Sequence, residues 1–216
     1  MAVRDDPRTR EILDALIRRW QPAAVLVYGS FADGTWDDQS DFDALVLTRT
    51  PAPAHDTSLL CGRRLDVFFS SPEIFEGEWF PEDFVQLYHA VPAYDPEGRG
   101  QAVIGAVRRW ADSRPPRSRA DRLDSLAWLD KMLERAGRGD PEGDYRLLWL
   151  LTDSLEIWCD VTGRFCFGPK KSLALLREKD PAGWALYTAA LRSPRAETAE
   201  PWVAHLRRLN NEKPEA

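Results

Sequence analysis

Long apolar runs are missing from this chain of 216 residues. None comes near the roughly 18 consecutive apolar residues that span a bilayer. The charged segment Met1 to Arg10 is not followed by the apolar core of a secretion signal. The expectation is a cytoplasmic protein with no membrane partner. Cysteine is scarce: Cys61, Cys159 and Cys166 are odd in number and lack metal-ligand spacing, so thiols packed as small apolar groups are the default. His55, His89 and His205 are equally scattered, which leaves a zinc site or a Cys–His nucleophile without support. Lysine is absent from residues 1–95, where 8 Arg face 17 Asp and Glu for a balance of −9, while residues 96–216 carry 21 basic against 18 acidic residues, a balance of +3. An acidic amino-terminal half repels a polyanion, which argues against a nucleic-acid partner and for a small or cationic one. There is no internal repeat and no low-complexity tract. What is present in quantity is apolar and aromatic: 44% hydrophobic residues and nine Trp are ample for packed cores.

The informative stretch is Gly29-Ser30, then ten residues, then Asp41-Phe42-Asp43. Ala23 to Tyr28 reads as a buried strand, and Ala44 to Leu47 continues the acidic segment as a second one. Residues two apart on a strand share a face, so Asp41 and Asp43 project together while Phe42 points into the core. Two carboxylates on one face repel each other, and a divalent cation relieves that repulsion. Mg²⁺ takes one or two protein carboxylates and leaves its other positions to water and phosphate oxygens. Gly29 lets the backbone approach a phosphate with no Cβ in the way, and the Ser30 hydroxyl and following amides can donate to it. A third acid, Asp66, sits inside the apolar run Arg64 to Phe69, which reads as a further buried strand. An unpaired buried carboxylate is costly. If this strand lies beside the second, Asp66 joins the same cluster, either as a ligand to a second ion or as the acceptor of a proton from an attacking hydroxyl.

Tyr28-Gly29-Ser30-Phe31, the ten-residue gap, Ser40-Asp41-Phe42-Asp43-Ala44 and Leu65-Asp66-Val67 resemble the nucleotidyltransferase superfamily that includes DNA polymerase beta and the aminoglycoside nucleotidyltransferases. The resemblance covers about the first 95 residues. It implies an α+β fold, with a small mixed β-sheet nucleotidyltransferase domain flanked by helices and a C-terminal α-helical bundle domain. It implies that Asp41, Asp43 and Asp66 form the Mg²⁺ site, with two ions, and that Gly29, Ser30 and Ser40 belong to the nucleotide cradle. The implied reaction is transfer of a nucleoside monophosphate, from ATP by default, with loss of pyrophosphate.

The chain divides at Ser113 to Ser118, where two prolines and like charges stop a helix running from about Arg99 to Ala111. The expected domains are a catalytic domain over 1–112, a helical acceptor-binding domain over 118–210 and a tail over 211–216, with fraying from Asn210. Asp6-Pro7 opens a first helix through Trp20. Helical starts are expected at Pro72 and Pro81, with a fourth strand over Ala90 to Tyr94. Leu123, Leu126, Ala127, Leu129 and Leu133 predict one amphipathic helix, and Tyr145 to Val161 a central one that is apolar on most sides. Further helices are predicted within Lys170 to Glu178, Pro181 to Leu191 and Ala199 to Leu209.

Two features of the helical half carry a second layer of chemistry. Asp153, Glu156 and Asp160 share a face of the central helix, either as an acidic wall for a cationic acceptor or as a solvated stripe. By location, Glu156 resembles the helical-domain base of some antibiotic nucleotidyltransferases. Lys170 and Lys171 open a helix, where the positive dipole end disfavours cations. A triphosphate would explain them, as would ordinary solvation, and Arg63 and Arg64 beside Asp66 read by default as a surface hairpin. The expected partners are a nucleoside triphosphate and a small-molecule acceptor, with antibiotics as the first class to test. A partner protein as acceptor and a non-catalytic nucleotide-binding regulator are the alternatives. Nothing in the sequence sets an oligomeric state.

Overall fold

In the computed structural model, which describes residues 6–212, the chain forms two compact units, Met1–Arg114 and Pro115–Ala216. The first begins with α1 (Pro7–Trp20), whose cap explains its start. The Asp6 carboxylate accepts from the Thr9 amide at 2.8 Å and from the Thr9 hydroxyl at 2.7 Å, and proline takes the first helical turn, where its missing N–H costs nothing. Ile12, Leu13, Leu16 and Trp20 recur at helical spacing and are buried against the sheet.

The strands are β1 (Ala24–Val27), β2 (Phe42–Leu47), β3 (His55–Asp56), β4 (Leu59–Leu60), β5 (Arg63–Ser70) and β6 (Val91–Tyr94). They join in the order β3-β5-β2-β1-β6, with β4 pairing on β5. Among the described residues only β2 and β5 run parallel; the other pairings are antiparallel, so the sheet is mixed. Pro92 sits in β6, an edge strand, where a missing ladder donor is tolerated.

Alternation divides the side chains between two faces. Val25, Val27, Phe42, Ala44, Val46, Leu65 and Val67 pack with α1. Ala24, Leu26, Leu45 and Leu47 pack with α3 (Arg99–Ser113) and the 3₁₀ segment Pro81–His89. Gly100 lets α3 lie this close, because a Cβ there would come within 2.3 Å of the Leu26 Cδ2. The Asp95 carboxylate fixes the start of α3, accepting from the amides of Gly100 at 3.0 Å and Gln101 at 2.8 Å.

The second unit is helical: α4 (Arg119–Ala136), α5 (Pro141–Thr162), α6 (Pro169–Lys179), α7 (Pro181–Arg192) and α8 (Ala196–Glu212). Ser118, Asp140 and Asp180 cap α4, α5 and α7 through their side chains. The core gathers Leu126, Leu129, Leu150, Leu155, Trp158, Tyr187, Trp202 and Leu206. Two of its buried polar side chains are paired within it: the Trp202 indole donates to the Ser154 hydroxyl at 2.9 Å, and the Tyr187 hydroxyl to the Leu151 carbonyl at 2.8 Å.

Several expectations are corrected. Leu123 is 46% exposed and Ala127 is exposed, because α4 turns Arg122, Leu126, Leu129 and Met132 inward instead. Arg122 is tolerated there because it donates to the Asn210 side chain at 2.8 Å and to the Arg117 carbonyl at 2.7 Å. The same bond keeps Asn210 buried within α8 rather than in a frayed tail; residues 213–216 lie outside the described residues. Arg63 and Arg64 do lie in a hairpin, paired with Leu60 and Leu59 of β4, but Arg63 is buried where a surface position was expected, while Arg64 is exposed. The segments opening at Pro72 and Pro81 are 3₁₀ rather than α-helical, and the short strands β3 and β4 had no counterpart in the sequence reading. Among the described residues, no helix is long and apolar enough to cross a membrane.

Candidate active site

The parallel pairing of β2 and β5 sets the site. In its register Asp43 lies directly opposite Asp66, with Phe42 opposite Leu65 and Ala44 opposite Val67. Neighbouring strands lie about 4.8 Å apart, and partners in register share a face, so the two acids are side by side. That face is covered by α3 and the 3₁₀ segment at the β1 end. Phe68, two residues beyond Asp66 on the same face, is 42% exposed, so the β5 end is open. Asp66 is correspondingly half-open, with 39% of its side chain exposed, and the burial cost expected for it does not arise.

Gly29 presses against Asp43. It follows β1 in a left-handed conformation with φ +64°, and a Cβ at this position would fall 2.2 Å from the Asp43 Oδ2. The Tyr28 amide donates to the Asp43 carbonyl at 3.1 Å, extending the β1–β2 ladder to this point. Ser30 follows in the short helix α2 (Gly29–Asp33) and is buried. Tyr28 reports the field of the pair: burial first, then the charges of Asp66 and Asp43, push its hydroxyl well above the ordinary tyrosine range.

The loop between the two halves of the motif is anchored from β5. The Arg63 guanidinium donates to the Asp37 carbonyl at 2.7 Å and to the Asp38 carboxylate at 3.2 Å, and lies 5.3 Å above the Trp36 ring. Trp36 stacks on Phe31 of α2 at 5.3 Å, and Phe31 meets Phe42 of β2 edge-on at 5.2 Å. Ser40 closes the loop locally, its hydroxyl donating to the Asp37 carboxylate and accepting from the Asp37 amide, each at 2.9 Å. Asp41 is exposed and immediately precedes β2.

One participant went unrecognised in the sequence. The His55 Nε2 lies 2.6 Å from the Asp66 Oδ1, and its ring stacks on Phe68 at 4.1 Å and 7°. The strand that carries it is two residues long and has no periodicity to detect. Arg63 gave no signal either, because a basic residue at a strand start is ordinarily solvated.

Among the described residues, no three His, Cys, Asp or Glu side chains are grouped closely enough to hold a metal ion between them. Asp43 and Asp66 nonetheless present adjacent hard oxygen donors beside a backbone position kept clear of any Cβ. That donor set fits Mg²⁺, which needs only one or two carboxylates when a phosphate ligand supplies other oxygens.

Glu156, Lys170 and Lys171 belong to the helical unit. Glu156 is exposed on α5 and lines a groove of about 400 Å³ with Asp124, Trp128, Asp153 and Asp160. Burial raises the Asp153 carboxyl, and Arg117 lies 3.6 Å from Asp160. Lys170 is exposed and Lys171 half-buried in the first turn of α6.

Residues 9–93 match the family model described as "Nucleotidyltransferase domain". No curated protein matches the chain.

Proposed function

We propose, from the premise that the amino-terminal unit carries a nucleotidyltransferase domain of the nucleotidyltransferase superfamily, that the protein moves a nucleoside monophosphate from a nucleoside triphosphate to a hydroxyl of a small-molecule acceptor. AMP from ATP is the default donor chemistry, and a cationic, antibiotic-like compound is the default acceptor. The observation that carries this reading is the register match of Asp43 with Asp66 beside a glycine that touches Asp43.

In this reading Asp41 and Asp43 would hold Mg²⁺, with Asp66 completing the site. Bound Mg²⁺, two ions in the full complement, supplies charge neutralisation for the triphosphate and the departing pyrophosphate. The chain's own groups do the rest. The backbone from Gly29 to Ser30 seats phosphate oxygens, and Arg63 holds the loop that leads to Asp41, one residue ahead of β2. The acceptor oxygen attacks the α-phosphorus, the bond to the bridging oxygen of the β-phosphate breaks, and pyrophosphate leaves. Asp66 Oδ2, the oxygen not engaged by His55, takes the acceptor's proton.

The helical unit is the acceptor-binding part in this reading. Asp124, Asp153, Glu156 and Asp160 supply negative charge around Trp128, a lining suited to a cationic ring system. A partner protein as acceptor is the second reading, favoured by the apolar surface of α5, where Tyr145, Leu148 and Trp149 are 59%, 58% and 43% exposed.

The test is incubation with ATP labelled at the α-phosphate, Mg²⁺ and a panel of aminoglycosides, lincosamides and candidate proteins. Label should pass to a small molecule with stoichiometric pyrophosphate, and Asp43→Asn should abolish it. Transfer that is unchanged in Asp43→Asn would sink the reading.

A further inference from the structure

His55 stands where the sequence offered only an isolated histidine, and three observations define what it does. Its Nε2 is 2.6 Å from the Asp66 Oδ1. A carboxylate can only accept, so toward that form of Asp66 the Nε2–H of His55 is the donor. The ring cannot rotate freely, because it lies flat on Phe68 at 4.1 Å and 7°. Its backbone is fixed by the β3–β5 ladder, in which His55 is the partner of Phe68 and Asp56 of Val67. The imidazole is therefore held from three sides and in turn holds one oxygen of Asp66.

From this we infer that His55 is a positioning residue that fixes the Asp66 carboxylate, occupying Oδ1 so that Oδ2 alone is presented to the acceptor hydroxyl. The inference rests on the reaction proposed above and adds to it the residue that orients its proton acceptor. A purely stabilising role accounts poorly for the geometry. Both side chains are 39% exposed, and a solvent-screened pair of this kind contributes little to folding. A half-open aspartate without a partner samples several rotamers, only some of which aim an oxygen at the reacting group. The Phe68 ring, costly to leave on an open sheet face, is accounted for as the platform that keeps the imidazole in plane.

The probe is ATP with Mn²⁺ and water as acceptor, read as release of AMP and pyrophosphate, alongside Mn²⁺ binding to the nucleotide-free protein followed by electron paramagnetic resonance. His55→Ala should lower kcat about 10- to 100-fold, with the KM for ATP and the Mn²⁺ affinity within about twofold of wild type. His55→Gln, whose amide nitrogen can replace Nε2–H, should recover much of the loss. Circular dichroism and the melting temperature should stay at wild-type values in both variants. Asp43→Asn serves as the control for the site itself and should lose Mn²⁺ binding. If Asp43→Asn loses Mn²⁺ binding while His55→Ala keeps wild-type kcat, the positioning role falls and the proposed function stands. If His55→Ala and His55→Gln are equally impaired, or their KM rises in step with the loss of kcat, orientation of Asp66 is not what His55 provides. A wild-type protein that neither binds Mn²⁺ nor cleaves ATP overturns the function and the inference together.

Discussion

Replacing Gly29 by alanine tests the contact on which the site depends. The position has φ +64°, a region where a Cβ meets the following carbonyl and costs about 1–2 kcal/mol. The new Cβ would also lie 2.2 Å from the Asp43 Oδ2 and 2.9 Å from its Cγ, where ordinary contact begins at 3.4 Å. The carboxylate must retreat by about 1 Å, and an off-rotamer aspartate costs about 0.5–1.5 kcal/mol more. The total, about 1.5–3.5 kcal/mol, should appear as a lower urea midpoint for the amino-terminal unit with an unchanged slope. The catalytic effect should be larger than the structural one, because a displacement of about 1 Å at a reacting centre costs about 100-fold in rate. Label transfer from ATP and urea unfolding should be measured on the same preparation. If Gly29→Ala keeps both wild-type turnover and the wild-type midpoint, the close approach of Gly29 to Asp43 has no functional weight and the cradle is misplaced.

Arg63→Ala should destabilise the protein by about 2–3 kcal/mol in urea unfolding, since it removes a guanidinium only 6% exposed and with it the charge-assisted bond to the Asp37 carbonyl and the contact with Trp36. Turnover should fall as well, because Asp41 is carried by the loop that Arg63 anchors; a variant that is as stable as wild type contradicts this role. Asp180→Asn should flatten the acid limb of stability. Burial alone would raise that carboxyl, but donation from His205, the Gly183 amide and Trp158, with the charge of His205, brings it below its ordinary value. A depressed carboxyl stabilises above its unfolded pKa of about 3.9 and loses that contribution as pH falls through the folded value. The difference in melting temperature between wild type and Asp180→Asn should therefore be widest near neutrality and shrink below about pH 4. Glu156→Gln should raise the KM for a cationic acceptor several-fold and leave the KM for ATP unchanged; wild-type kinetics with such an acceptor would return the α5 stripe to solvent.

What the sequence made legible was whatever rests on local chemistry. The cap at Asp6, the helix starts at Pro7 and Pro181, and the alternation of β2 are each determined within a few residues, and the structure places them as read, whereas the central helix, read from Tyr145, begins four residues earlier at Pro141. Phe42 was expected in the core between two outward acids, and it is fully buried. The mixed α+β fold followed from the family resemblance that the Gly29-Ser30 and Asp41-Phe42-Asp43 motif carries. Long-range partners were not legible. Arg63 read as a surface residue because its acceptor, the Asp37 carbonyl, lies 26 positions away, and Arg122 drew no notice because its partner Asn210 lies 88 positions away. Leu123 read as core because helical spacing alone cannot tell which of two adjacent stripes faces inward. His55 was missed because two residues make no periodic pattern, and its role depends wholly on a strand it meets in space.

The parallel register of β2 and β5 has a consequence for how this protein can vary. Asp43 and Asp66 are set level with each other by a ladder of six residue pairs, from Phe42 with Leu65 to Leu47 with Ser70, and not by the chain that runs between them. Inserting residues between β2 and β5 adds only a slowly growing loop-closure cost and leaves the two acids level. Sliding β5 by one residue would do the opposite: Leu65 or Val67 would take the place of Asp66 on the open face, and the acid would turn toward α1. Descendants of this gene are thus free to lengthen the excursion between β2 and β5, but any change that shifts the phase of β5 parts Asp66 from Asp43 in a single step.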